Sequence, residues 1–275
     1  DKILHDSGKY LCQHKKKPMK CKSSIIKAKG SKAQGGIGMK VLVIPDVHLK
    51  PFMFQQAAAL LRQGIAERAV CLMDIPDDWN KEYDCQLYEE TYDEALRFAE
   101  QFPETLWCYG NHDLSYLWHQ MESGYSTKAA YLVQKKLLNL RAAVPEDHPI
   151  QYIQKIDNVL FCHGGLLNYF VEEYVSKSKY DDVDQVVKII NKLGLREMWN
   201  QASPIWLRPQ NSRVRLYKPR KLLQVVGHTP MTEITREGNV ISCDVFSTYR
   251  DGRPIGTQEF LLLDTQTWEY CGVKP

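Results

Sequence analysis

The sequence has no apolar run long enough to cross a membrane and no secretory signal near its start. A membrane-spanning helix needs about 20 apolar residues, and no stretch of the 275-residue chain approaches that length. Signal peptides contain an apolar core of roughly 7–15 residues, whereas the first residues here are charged and polar. We therefore expect a cytoplasmic protein without membrane contact.

Paired-cysteine motifs are also missing. None of the eight cysteines has the CxxC spacing that is typical of zinc and redox motifs. Four cysteines lie in or beside apolar segments, where a free thiol behaves as a small apolar side chain: Cys71, Cys108, Cys162 and Cys243. This distribution favours a reducing compartment over a secreted protein with disulfide bonds.

The small net charge conceals a local excess of lysine. Residues 1–38 contain ten Lys and two Asp, a net charge of +8, which leaves −5 for the remainder of a chain whose total is +3. This segment has too few large apolar side chains to fold alone. We expect residues 1–38 to be a flexible basic appendage, either native or foreign to the natural protein, and residues 39–275 to form one domain. A lysine-rich arm can contact nucleic acid through phosphates, although most such runs are simply solvated. Four residues that can bind zinc occur in it without a familiar spacing: His5, Cys12, His14 and Cys21.

Five short apolar runs end in polar clusters. The runs lack alternation, which predicts strands buried on both faces, and they cover residues 41–45, 69–73, 105–109, 159–162 and 222–226. The clusters that follow them are Asp46-Val47-His48, Asp74 with Asp77, Gly110-Asn111-His112-Asp113, His163-Gly164-Gly165 and Gly227-His228-Thr229. Carboxyl ends of strands in an open α/β sheet form a shared crevice. We therefore expect the clusters to converge.

Helical patterns alternate with the early strands, and hairpins follow later. Apolar residues with helical spacing predict helices at 52–63, 86–101, 127–140 and 183–193,. Further strands are predicted at 151–156, 240–243 and 259–264,. This order predicts an α/β fold, a four-layer α/β/β/α sandwich with mixed sheets.

The polar clusters offer the ligands of a two-metal centre. Asp46 and His48 are two residues apart, so both side chains point the same way on an extended chain. Asp74 has two carboxylate oxygens and can bridge two cations. Amide and imidazole ligands for a second cation come from Asn111, His163 and His228. Two divalent cations can activate water for in-line attack on a phosphate ester, which makes a nucleophilic side chain unnecessary.

His112 and Asp77 are a candidate acid pair. His112 directly follows Asn111 and therefore points away from it. Asp77 lies three residues after Asp74, where it can orient the imidazole. Imidazole titrates near neutral pH and can protonate a leaving oxygen. The alternative is a purely structural His–Asp pair.

The order of these motifs resembles the calcineurin-like metallophosphoesterase superfamily. Its nearest branch contains the Ser/Thr protein phosphatases, the phage-type phosphatases and the symmetrical dinucleoside tetraphosphatases, with the pattern GDxHG, GDxxDRG, GNHE, HGG and GHT. The similarity covers residues 39–264. It implies two divalent cations (Mn, Fe or Zn, with Mn favoured). One would be held by Asp46, His48 and Asp74, and the other by Asp74, Asn111, His163 and His228. His112 with Asp77 would then be the acid pair, and Arg208 would bind the substrate phosphate.

Three residues depart from the family pattern without removing a candidate metal ligand, and they bear on how substrate binds. Leu49 and Met73 replace glycines, and Asp78 replaces the arginine of the second motif. A carboxylate cannot imitate the forked contact of arginine with phosphate, and its negative charge weakens phosphate binding. Other arginines that can contact phosphate are Arg213, Arg215 and Arg250.

Three functions are consistent with these features. The first is a metal-dependent phosphatase, of Ser/Thr protein phosphatase type by resemblance, with a phosphorylated protein as substrate. The second is a hydrolase of dinucleoside polyphosphates or other nucleotide phosphodiesters. The third is a catalytically weak binding protein that keeps the fold, as Met73 and Asp78 suggest, although the complete ligand set opposes it.

Overall fold

The computed structural model describes residues 38–211 and 214–275. The basic segment 1–37, with its candidate zinc ligands His5, Cys12, His14 and Cys21, lies outside the described residues. The same holds for Arg213. Within the described ranges the strands form two five-stranded mixed sheets.

The first sheet contains the strands that lead into the first three polar clusters. Its strands are β1 (Lys40–Ile44), β2 (Arg68–Cys71), β3 (Leu106–Trp107), β9 (Phe260–Asp264) and β10 (Tyr270–Val273). The spatial order is β10-β9-β1-β2-β3. β1, β2 and β3 are parallel, so their carboxyl ends meet at one edge, whereas β9 pairs antiparallel with β1.

The second sheet carries the two histidine clusters. Its strands are β4 (Ile153–Ile156), β5 (Val159–Cys162), β6 (Leu223–Val226), β7 (Thr235–Glu237) and β8 (Val240–Ser242). The spatial order is β4-β5-β6-β8-β7. β5, β6 and β8 are parallel, which brings His163, His228 and Asp244 to the same edge, since each follows one of these strands within two residues.

The two sheets pack face to face, and helices cover their outer faces. Val41 and Val43 of β1 belong to a buried cluster with Phe161 and Val225 of the second sheet. The alternate residues of β1, such as Leu42, pack in a different cluster with helical side chains. Alternation of side chains across a strand explains this division. The predicted sandwich with mixed sheets is confirmed.

Helices connect the strands on the outside. Their bounds are α1 (Phe52–Arg62), α2 (Cys85–Gln101), α3 (Asn111–Leu117), α4 (Ala130–Ala143), α5 (Asn168–Tyr174), α6 (Val183–Ile190) and α7 (Leu195–Met198). The carboxylates of Asp84 and Asp182 accept hydrogen bonds from the first turns of α2 and α6, as N-cap residues do. Among the described residues, no helix is both long and apolar enough to span a membrane.

Candidate metal centre and active-site cavity

The structure brings the six candidate metal ligands together at the carboxyl edges of the two sheets. Ligand atoms of Asp46, His48 and Asp74 lie within 4.8 Å of one another, and so do those of Asp74, His163 and His228. Asp74 belongs to both groups, as a bridging carboxylate would. Asn111 joins the second group, because its Oδ1 lies 3.1 Å from His163 Nε2.

Backbone contacts aim the histidines at the centre of the cluster. His48 Nδ1 lies 2.9 Å from the carbonyl oxygen of Asp77, and His163 Nδ1 lies 3.2 Å from that of Leu72. Each Nε2 therefore points toward the carboxylates, with His163 Nε2 3.0 Å from Asp74 Oδ2. Metal-binding histidines commonly donate their second N–H to a carbonyl or carboxylate in this way.

Two glycines allow the carboxylates to approach the backbone. A Cβ atom on Gly110 would lie 1.9 Å from Asp74 Oδ1, and one on Gly227 would lie 1.9 Å from Asp46 Oδ1. His112 N donates to Asp74 Oδ1 at 2.9 Å, and His228 N donates to Asp46 Oδ2 at 2.8 Å. The loop after β3 is thereby hydrogen-bonded to Asp74, which follows β2, and the loop after β6 to Asp46, which follows β1.

An unpaired buried atom tests whether this arrangement fits divalent cations. Asp46 Oδ1 is buried and has no hydrogen-bond partner within the described protein. Unpaired polar atoms of this kind are costly unless a ligand satisfies them. His228 directs Nδ1 at the cluster, 3.0 Å from His163 Nε2. Carboxylate, amide and imidazole donors suit Mn, Fe and Zn. The residues therefore fit a pair of divalent cations.

The electrostatics favour positive charge in the centre. Burial, reinforced by Asp244 and Asp74, raises the pKa of Asp46. Burial lowers the pKa of His163, but the Asp74 and Asp46 carboxylates outweigh it and raise that pKa to about 9. For His228, burial with His163 and Arg208 nearby lowers the pKa to about 2, and a neutral imidazole is the form that binds a metal.

His112 is held beside this centre by Asp77. His112 Nδ1 lies 2.8 Å from Asp77 Oδ2. The other carboxylate oxygen of Asp77 accepts hydrogen bonds from the hydroxyls of Tyr88 at 2.7 Å and Tyr116 at 2.5 Å. Burial lowers the pKa of His112, but Asp74 and Asp77 outweigh it and raise that pKa to about 9.

A cavity of about 430 Å³ opens onto the cluster. Of the candidate residues, those that line it are His48, Asp74, Asp77, His112, Arg208 and His228. Arg208 donates from Nη1 to the carbonyl oxygen of His228, and the same atom is 3.3 Å from Thr229 Oγ1. Of the other candidate arginines, Arg250 lines this cavity, whereas Arg215 lines a different one.

Comparison with protein-family models places the chain in a family. The model of calcineurin-like phosphoesterases matches residues 39–253. The chain belongs to the calcineurin-like phosphoesterase family. It is accordingly a metal-dependent phosphoesterase, and the resemblance seen in the sequence is confirmed. No curated protein matches the chain.

The solved structures that this phosphoesterase is similar to have low sequence identity to it. The cold-active protein-tyrosine phosphatase of a psychrophile, Shewanella sp., is 18% identical with a TM-score of 0.51, over 86% of this chain and 80% of that one. A metallophosphoesterase from Sphaerobacter thermophilus is 13% identical with a TM-score of 0.40, over 86% of this chain and 88% of that one.

The two residues that replace glycines of the family motifs have left-handed backbone conformations. Leu49 has φ 55° and Met73 has φ 53°, values that glycine adopts without strain. Both side chains are buried. Asp74 and His48 also have positive φ, at 39° and 42°. Such strain is frequent where loops must place functional groups.

Asp78, which replaces the family arginine, is an ion-pair partner of Lys50. Lys50 Nζ lies 3.1 Å from Asp78 Oδ2 and 3.0 Å from the carbonyl oxygen of His48. Thr248 Oγ1 donates to Asp78 Oδ1 at 3.1 Å. The carboxylate is therefore neutralised and held by protein groups, which reduces the expected repulsion of a phosphate.

Two further carboxylates at the site did not emerge as functional candidates from the sequence. Asp113 accepts hydrogen bonds from the backbone N–H groups of Asp74, Ile75 and Gly110. It thereby joins the Asp74 loop to the start of α3. Asp244 is buried, lines the cavity and accepts from Ser247 Oγ. A signal for Asp244 existed, because it follows a predicted strand end like the other clusters.

Proposed function

We propose that the protein is a phosphomonoesterase whose water nucleophile is activated by two divalent cations. The observation that carries this proposal is the pair of ligand groups that share Asp74, beside a histidine held by a carboxylate. The cations would be held by Asp46, His48 and Asp74, and by Asp74, Asn111, His163 and His228. When bound, they supply Lewis acidity and lower the pKa of water. The broad ligand chemistry is compatible with Mn²⁺, which we expect to support turnover.

His112 would protonate the leaving oxygen. With Nδ1 directed at Asp77, the proton on Nε2 is the one available to the cavity that His112 lines. Asp77 is a positioning residue in this scheme, since it fixes the ring and stabilises its charged form. Tyr88 and Tyr116 in turn fix Asp77.

Arg208 would bind the phosphoryl group. Its position in the cavity, beside the carbonyl oxygen of His228, supports this role. The guanidinium has a planar fork of donors that matches phosphate oxygens.

Two classes of phosphate ester are candidate substrates. A Ser/Thr-type protein phosphatase stays the prediction from motif order, while Asp78 lacks the forked phosphate contact of the family arginine. A nucleotide phosphodiesterase is the alternative, supported by the aromatic side chains Trp79 and Tyr249 in the cavity. Comparing p-nitrophenyl phosphate with bis(p-nitrophenyl) phosphate separates a monoesterase from a diesterase. The catalytically weak alternative predicts no turnover of either compound.

The bridging role of Asp74 provides the direct test. We expect Asp74→Asn to lose both metal binding and turnover of p-nitrophenyl phosphate, because a neutral amide cannot supply two anionic oxygens. Metal content is measured by mass spectrometry after dialysis against Mn²⁺. Asp181→Asn is the matched control, since Asp181 pairs with Lys218 on the surface. Two equivalents of tightly bound metal in Asp74→Asn would contradict the assignment.

A further inference from the structure

The outer wall of the active-site cavity is aromatic. Trp79, Tyr249 and Arg250 line the same cavity as His112 and Arg208. The side chains of Trp79 and Tyr249 are 43% and 50% exposed. Large aromatic surfaces left open in a concave site commonly mark ligand contacts.

Hydrogen bonds hold the two segments of this wall together. Trp79 Nε1 donates to the carbonyl oxygen of Thr248 at 3.1 Å. Asn80 Nδ2 donates to the carbonyl oxygen of Arg250 at 2.9 Å. Thr248 also contacts Asp78, as described above. The indole orientation is therefore fixed before a ligand arrives, which lowers the entropic cost of binding.

Arg250 supports the indole ring. Its guanidinium carbon lies 4.8 Å from the centroid of the Trp79 ring, within the range of a cation–π contact. Guanidinium and indole are both planar groups that stack on aromatic rings. The wall therefore combines two aromatic rings with one planar cation.

The chemistry of the wall differs from that of the inner cavity. Position 78, where the family carries its phosphate-binding arginine, holds a carboxylate that is engaged by Lys50 and Thr248. This leaves the inner part, with Arg208 and the candidate ligands, for the phosphoryl group. The aromatic wall, whose residues Trp79 and Tyr249 are more exposed, is then available to the organic group of the ester. We propose that Trp79 and Tyr249 form an aryl subsite, which selects phosphate monoesters whose leaving group carries an aromatic ring. This inference rests on the phosphomonoesterase proposed above.

Substitution of Trp79 tests the subsite. KM and kcat are measured for phenyl phosphate and for β-glycerophosphate, which lacks a ring. We expect Trp79→Ala to raise KM for phenyl phosphate roughly 3- to 10-fold, the range of an aromatic pair, and to leave KM for β-glycerophosphate unchanged. Trp79→Phe should retain most of the affinity. Tyr131→Ala is the control, because Tyr131 is 79% exposed on α4 and lies outside the lining of this cavity.

Inhibition by phosphonates removes the effect of leaving-group reactivity. Phenylphosphonate should inhibit the wild-type protein more strongly than methylphosphonate, and Trp79→Ala should abolish the difference. Tyr249→Ala is a second variant of the same subsite, which keeps the test valid if Trp79→Ala fails to fold. The thermal midpoints of both variants are measured in parallel. A Tyr249→Ala protein with an unchanged thermal midpoint that still distinguished phenylphosphonate from methylphosphonate as the wild type does, together with an unchanged distinction in Trp79→Ala, would overturn the subsite.

Peptide substrates distinguish the source of the ring. Phosphotyrosine and phosphoserine peptides of one sequence are compared in the wild-type and Trp79→Ala proteins. If the wild type prefers the phosphotyrosine peptide and Trp79→Ala removes that preference, the substrate is a protein. If Trp79→Ala weakens activity only on phenyl phosphate, the substrates are small aryl phosphates. Equal losses for all substrates, or a Trp79 effect confined to nucleotides, would refute the aryl subsite. Absence of metal-stimulated turnover of every ester in the wild type would instead refute the proposed function.

Discussion

Met73 combines a strained backbone with a buried side chain. Its φ of 53° suits glycine, and relief of the strain would be worth about 1–2 kcal/mol. The side chain is 0% exposed, and removal of a buried methionine down to alanine costs roughly 2–5 kcal/mol. Burial therefore outweighs strain, which explains how this chain tolerates Met73 before Asp74.

We expect Met73→Gly to destabilise the protein by about 1–3 kcal/mol, despite restoring the family glycine. The free energy of unfolding is measured in urea. His119→Gly is the control, because His119 has φ 54° and an exposed side chain. That variant should stay within about 1 kcal/mol of the wild type. A more stable Met73→Gly protein would show that strain dominates.

His112 allows the proposed acid role to be separated from a structural one. We expect His112→Asn to retain bound Mn²⁺ and to lose roughly 10²- to 10⁴-fold in kcat with β-glycerophosphate, the range for general acid catalysis. The loss should be much smaller with p-nitrophenyl phosphate, because p-nitrophenolate leaves without protonation. Steady-state kinetics with both esters measure this difference. Equal losses would indicate a purely structural His112–Asp77 pair.

At the scale of elements, Gly227 sets the distance between the end of β6 and the end of β1. A methyl group on Gly227 would overlap Asp46 Oδ1, so the β6 loop must retreat and carry His228 with it. We expect Gly227→Ala to lower the Mn²⁺ content and to reduce turnover of p-nitrophenyl phosphate at least tenfold, on the order of a ligand displaced by about 1 Å.

Gly238→Ala is the matched control for this prediction. Gly238 has φ 59° and no atom within 4 Å of an added Cβ. Its substitution therefore introduces strain of about 1 kcal/mol without a clash. Metal content, measured by mass spectrometry, should remain that of the wild type. Comparable metal loss in both variants would show that general destabilisation is responsible.

Short apolar runs and helical periodicity were sufficient to predict many of the elements from the sequence. The strand predicted at 159–162 matches β5, and the helix predicted at 86–101 begins one residue earlier as α2. α3 was missed as a helix, because its seven residues (Asn111–Leu117) are too few to show a period and begin with the polar residues of the site. β10 was also missed; it is an edge strand with half-buried residues throughout.

The position of each candidate ligand near a strand end was predictable, but the contacts that hold it were not. The three backbone donors to Asp113 come from two different loops. The pairing of Lys50 with Asp78 depends on two loops that are 28 residues apart. Such contacts depend on which strands are neighbours in a sheet. Val41 of β1, for example, pairs with Leu263 of β9. No local sequence pattern reveals a pairing between residues so far apart in the chain.

At the scale of the whole molecule, the candidate metal centre lies at the carboxyl edges of both sheets. Any ligand that binds only the folded protein stabilises it by mass action, about 2.7 kcal/mol at a concentration 100 times its dissociation constant. We therefore expect Mn²⁺ to raise the thermal midpoint by roughly 5–10 °C for a protein of this size. Differential scanning calorimetry at increasing Mn²⁺ checks this, with Asp74→Asn as the control. An equal rise in that variant would place the stabilising cation elsewhere.

The two ligand groups differ in which sheets they join. Asp46, His48 and Asp74 all follow strands of the first sheet, whereas His163 and His228 follow strands of the second. Under the proposed assignment, one ion would be anchored to a single sheet while its neighbour would tether both. The two sites would then lose their ions at different stages, because any separation of the sheets disrupts first the site whose ligands come from both of them. Mild heating or a dilute chelator should release one equivalent well before the other.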